Sequence, residues 1–131
     1  MKKTTLLNAE LSQLIATLGH GDMLVIGDAG LPVPAGVPRI DLALMAGIPA
    51  TSQVLQAVLS EMQVERAVIA SEALTAAGGE LPAWCQQVQP TPIATLPHAE
   101  FKAMTAHARA VVRTGEFTPY ANIILCAGVV F

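Results

Sequence analysis

Charge is scarce in this chain: Asp, Glu, Lys and Arg make up 13% of its 131 residues, about half the roughly 25% usual for soluble proteins. So little charge cannot coat an isolated small globule, and much of the surface is expected to be buried between identical subunits. The scarcer sign is positive, with 7 Lys plus Arg against 10 Asp plus Glu and a net charge of -3. No basic footprint of the kind phosphate backbones demand is present, which argues against nucleic acid as a partner. The 2 cysteines, Cys85 and Cys126, have no C-x-x-C spacing, and both read as buried reduced thiols rather than redox or metal groups. Also missing are G-x-G-x-x-G, the P-loop, the G-x-S-x-G elbow and H-E-x-x-H, which disfavours nucleotide-driven chemistry and serine hydrolysis.

A membrane-spanning run is lacking as well. Residues 42–60 carry no charge, yet Gly47 and Pro49 break them and Thr51, Ser52, Gln53 and Gln56 make them too polar for a lipid-facing helix. Lys2 and Lys3 resemble a signal-peptide start, but Asn8, Glu10, Ser12 and Gln13 interrupt the apolar stretch that should follow. The N-terminus is therefore expected to stay on a mature, cytoplasmic protein.

Apolar residues are abundant, at 53%, enough for one core, and residues 1–131 are expected to form one domain. Leu11, Leu14, Ile15 and Leu18 recur at helix spacing; Asn8 can cap the start and Gly19 can end the helix in the left-handed conformation. Met23 to Ile26 reads as a buried strand, Ile40, Leu42 and Leu44 alternate like another, and Val54 to Met62 mark a second helix. Ala67 to Ala70 and Ile93 to Leu96 read as strands, with short helices around Leu74 and Trp84 between them. A helix from Ala99 to Ala108, a strand at 110–113 and a final strand at 123–126 complete the chain. This alternation predicts a layered α/β domain with a largely parallel sheet and a ligand site off the carboxyl ends of its strands.

Three histidines are the residues most suited to proton transfer near neutral pH. His20, after Gly19, is placed to be a general acid favoured by the negative end of a helix dipole, or simply to cap that helix's last carbonyls. His98, after Pro97, reads as a ligand contact or as a helix-start cap, whereas His107 reads as a solvated or dipole-paired residue. Asp28 follows a strand in the turn Asp28-Ala29-Gly30-Leu31-Pro32, where a carboxylate can bond backbone N–H groups or serve a ligand. Tyr120 and Asn122, two apart on an extended segment, would share a face able to hold sugar hydroxyls, although a lone tyrosine is more often an interface aromatic. Zinc held by His20, Asp28 and His98 is a further possibility with no motif behind it. Arg39-Ile40-Asp41 suggests a local ion pair or subunit contact, and Glu61, Glu65 and Arg66 a solvated helix end.

Leu18-Gly19-His20, Asp28-Ala29-Gly30-Leu31-Pro32, Arg39-Ile40-Asp41 and Pro119-Tyr120-Ala121-Asn122-Ile123-Ile124-Leu125-Cys126-Ala127-Gly128-Val129, in this order and spacing, resemble the D-ribose pyranase (RbsD) family, within a wider group that includes L-fucose mutarotases. The resemblance spans nearly the whole chain and is weakest over 75–97. It implies a three-layer α/β domain with a central, largely parallel sheet. The implied activity is cofactor-free, metal-free general acid/base interconversion of the pyranose and furanose forms of free D-ribose. It further implies His20 as proton donor, and Asp28, His98, Tyr120, Ala121 and Asn122 as substrate-binding positions. A homodecamer of two pentameric rings, with sites at subunit boundaries and a functional link to ribose uptake and ribokinase, is also implied. Alternatives are an L-fucose-type mutarotase, disfavoured by the Asp28-to-Pro32 and Tyr120-to-Asn122 segments, and a non-catalytic sugar-binding accessory protein.

Overall fold

A computed structural model describes all 131 residues. The elements run α1 (Ala9–Thr17), β1 (Met23–Gly27), β2 (Arg39–Asp41), α2 (Thr51–Leu59), β3 (Val64–Ala70), α3 (Ser71–Ala76), a 3₁₀ helix (Ala83–Val88), β4 (Ile93–Leu96), α4 (His98–Thr105), β5 (Ala110–Arg113) and β6 (Ile123–Ala127). The six strands form one sheet in the order β2-β5-β1-β6-β3-β4. Only β6 runs against its neighbours β1 and β3; the remaining pairings are parallel. The expected largely parallel α/β sheet is the one found.

Strands β1, β5 and β6 read as unbroken apolar runs because both faces of the sheet are covered. Successive side chains alternate between faces. Leu24, Ile26, Val112, Ile123 and Leu125 pack towards α1, α2 and the 3₁₀ helix, whereas Val25, Val111, Ile124 and Cys126 pack with Phe101 of α4. These layers fix the ends of β1 and β6, which carry the polar residues discussed below. No helix is long and apolar enough to cross a membrane.

Several local expectations are corrected. Asn8 caps α1 as expected, its Oδ1 accepting the Leu11 N–H at 2.9 Å, but the helix stops at Thr17 with Leu18 extended. The left-handed glycine is Gly21, at φ +82°, not Gly19. Asp22 causes this: its Oδ2 accepts the Gly19 N–H at 2.8 Å, and its own N–H reaches the Gly19 carbonyl at 3.1 Å, closing a turn across His20 and Gly21. β2 ends at Asp41 because that carboxylate turns back to accept the Ala43 N–H at 3.0 Å, which leaves Leu44 exposed. α4 ends at Thr105, so His107 lies beyond it. Asp41 pairs with Arg113 at 3.0 Å rather than with Arg39. Glu65 is on strand β3, not at a helix end.

Candidate active site

β1 delivers Asp28 to the carboxyl end of the sheet, and the reversed strand β6 starts at that same end, just after Asn122. Asp28 and Asn122 therefore meet. The Asp28 N–H donates to Asn122 Oδ1 at 2.7 Å, Asn122 Nδ2 donates to Asp28 Oδ2 at 3.0 Å, and Asp28 Oδ1 accepts the Gly30 N–H at 2.9 Å. Gly27 permits this approach, since a Cβ there would stand 2.7 Å from Leu31 Cδ2 and 3.4 Å from Asn122 Oδ1.

Pro97 sets the start of α4, whose first residue is His98. The His98 N–H donates to Glu72 Oε2 at 2.7 Å. Its ring meets Tyr120 edge-on at 5.1 Å between centroids and lies nearly parallel to Phe101 at 6.2 Å. His98 Nδ1 is buried without a protein partner. Tyr120 is not on an extended segment. It adopts φ +63°, and its carbonyl accepts the Asn122 N–H at 2.8 Å, a tight turn that still brings both residues to one hollow.

That hollow holds about 350 Å³ and is lined by Asp28, Leu31, His98, Lys102, Tyr120 and Asn122 among others, in the range of small-ligand sites. Ala121 lies behind it, buried, its carbonyl accepting the Thr51 hydroxyl at 3.2 Å. Lys102 was not anticipated from the sequence, although it lies four residues after His98 and so shares its helix face. A second hollow of about 450 Å³ shares Asp28, Gly30 and Pro119 and adds Arg113, Glu116 and Thr118.

A buried network behind the site was also missed. Thr51 and Thr114 are fully buried, with hydroxyls 3.3 Å apart, and Thr114 donates to the Gly27 carbonyl at 2.8 Å. Glu116 accepts from the Thr51 N–H at 3.2 Å and from the Thr118 N–H and hydroxyl at 3.2 and 2.9 Å. Its backbone carbonyl accepts the Ala29 N–H at 2.9 Å. Alternating polar residues in a loop gave no sign of these long-range partners.

His20 is not with the others. It precedes β1 while Asp28 follows it, and the five residues of that strand span roughly 17 Å at about 3.3 Å each. Its side chain is 61% exposed and its Nε2 lies 2.7 Å from Glu65 Oε2. It does not cap α1, which ends before it. His20, Asp28 and His98 thus cannot share one metal ion within a single copy, and no three His, Cys, Asp or Glu side chains converge elsewhere.

Residues 1–130 match the model of the RbsD / FucU transport protein family. The chain belongs to that family. Among RbsD / FucU relatives, it is 65% identical to a D-ribose pyranase of Paracidovorax citrulli and 56% identical to one of Chloroflexus aggregans, each over 100% of both chains. The structure of Bacillus subtilis RbsD complexed with D-ribose superposes with a TM-score of 0.90 at 46% identity over 100% of both chains. A fucose mutarotase of Streptococcus pneumoniae in complex with L-fucose shares the fold, with a TM-score of 0.75 at 22% identity and 100% coverage of both chains.

Proposed function

We propose that this chain is an isomerase that interconverts the pyranose and furanose forms of free D-ribose, and that each working site is assembled from two copies of it. One observation carries the second half of this reading: His20 and the hollow at Asp28 sit at opposite ends of β1. An exposed imidazole at one end and a histidine-lined hollow at the other complement each other when one copy's front meets the next copy's back. Such a head-to-tail contact closes into rings, which suits the charge-poor surface and a homodecamer of two pentameric rings. The one sugar-handling domain, residues 1–131, would work in the cytoplasm between ribose uptake and ribokinase.

Ring opening breaks the bond between the anomeric carbon and the ring oxygen. The ring oxygen must gain a proton while the anomeric hydroxyl loses one, and reclosure through a different hydroxyl reverses both transfers. Neither transfer requires a metal or cofactor. In this reading His20 of the neighbouring copy gives the proton to the ring oxygen. Asp28, already aligned by Gly30 and Asn122, accepts from sugar hydroxyls, and the His98 ring on the wall of the same hollow holds the sugar beside it. Tyr120 and Asn122 complete the hydroxyl contacts, and the Ala121 main chain between them shapes the wall.

NMR magnetisation exchange on ribose tests the reading. The wild-type protein transfers magnetisation between pyranose and furanose signals, and His20→Ala reduces the rate by about tenfold or more, the lower range of general acid/base effects. Broadened ribose signals without exchange would make the protein a binder instead.

A further inference from the structure

We propose that Glu65 is a positioning residue for His20, fixing which ring nitrogen faces the sugar. This rests on the reading of His20 as the proton donor.

Three independent features of the backbone converge on this pair. First, β3 carries a bulge: Val64 pairs with Ala127 and Arg66 with the adjacent Cys126, which leaves Glu65 as the extra residue. A bulge interrupts the two-residue alternation and re-aims a side chain, and bulges are over-represented beside active sites. Second, Gly128 stands against the bulge, where a Cβ would lie 3.0 Å from Glu65 Cβ and 3.4 Å from its nitrogen. Third, the turn bearing His20 is tied to the same place, because the Gly21 N–H donates to the Ala127 carbonyl at 2.8 Å. The result is a 2.7 Å contact between His20 Nε2 and Glu65 Oε2 across 45 residues of sequence.

A carboxylate only accepts hydrogen bonds, so Nε2 carries a proton and donates it to Glu65. Nδ1 is then the nitrogen left for the substrate. When the imidazolium acts, the Nδ1–H bond breaks and an O–H bond forms on the endocyclic oxygen, while the anomeric O–H bond breaks and its proton passes to the Asp28 carboxylate. The imidazole is left neutral with Nε2–H still on Glu65; on reclosure Nδ1 takes a proton back from the attacking hydroxyl and Asp28 returns its proton to the carbonyl oxygen. A carboxylate behind a catalytic histidine holds tautomer and orientation in this way in other enzymes.

The test uses the intact oligomer with ribose. Glu65→Ala is expected to lower kcat for ring interconversion on the order of tenfold with KM little changed. Glu65→Gln, whose amide oxygen still accepts Nε2–H, is expected to recover part of the loss. The ring ¹⁵N signals of His20 should report the Nε2–H tautomer in the wild type and a mixture in Glu65→Ala, a change that a purely structural role would not produce. Wild-type kcat and an unchanged His20 spectrum in Glu65→Ala, beside an impaired His20→Ala, would overturn the inference and leave the role of His20 standing. Full activity in His20→Ala would remove both. If Glu65→Ala fails to assemble, Glu65→Leu, which fills the space but cannot accept a hydrogen bond, takes its place: unaltered kcat and an unaltered His20 tautomer in Glu65→Leu would refute the inference.

Discussion

Asp28 and Asn122, 94 residues apart in the chain, hold each other through two hydrogen bonds, one to the backbone and one to the side chain. Asn122 is 1% exposed, so its amide cannot exchange these partners for water. Asn122→Ala leaves the Asp28 N–H without its acceptor and frees the carboxylate to rotate. A loss of about 1–3 kcal/mol is expected from the unsatisfied buried group, measured by denaturant unfolding, with a raised KM for ribose. Unchanged stability and KM would show that the pair is dispensable.

Mixing distinguishes a site shared between copies from one within a copy. His20→Ala and Asp28→Asn are each expected to lose about tenfold or more of the activity as pure oligomers. Refolded together at equal amounts, they should recover about a quarter of wild-type activity, since each shared site needs one intact half from each neighbour. No recovery would place both residues in the same subunit's site.

Acid should loosen the loop that bears Tyr120. Burial pushes the Glu116 carboxyl up, but hydrogen bonds from the Thr118 hydroxyl and N–H, and from the Thr51 and Phe117 N–H groups, outweigh it and hold the group below its usual 4.5. A depressed carboxylate stabilises the fold above its unfolded pKa and loses that contribution as pH falls through the folded value. Glu116→Gln is therefore expected to lower the thermal midpoint at pH 7 and to show a smaller drop from there to acid conditions below the usual carboxylate range. Parallel pH profiles for both proteins would contradict this.

The thiols should be silent in the folded protein. Burial pushes Cys85 up to about 11 and raises Cys126 as well, so few thiolates exist at pH 8. Iodoacetamide is expected to leave the native mass unchanged over an hour and to add two adducts after unfolding in guanidinium. Rapid native labelling would reveal local opening of the core.

Apolar runs made β1, the second half of β3, β5 and β6 legible in the sequence, because a strand buried on both faces leaves a mark that solvent-facing segments do not. Asp28 and His98 were readable for a related reason: each sits where an apolar run or a proline forces a boundary. The separation of His20 from Asp28 was also present, as one strand's length between them, but it carries meaning only once Met23 to Gly27 is known to be an extended strand. What stayed hidden depends on contacts across the fold. The bulge at Glu65 exists only in the pairing of β3 with β6, and the left-handed turn at Tyr120 breaks the extended geometry that its spacing from Asn122 suggested. Leu44 misled because the side chain of Asp41, not hydrophobic alternation, terminates β2.

The one reversed strand has a further consequence. β6 leaves the hollow lined by Asp28 and His98 at Asn122 and arrives at Ala127 beneath the turn that carries His20. Were copies to close into the proposed ring, β6 would be the spacer between successive sites, with a pitch set by five residues of backbone paired on both sides.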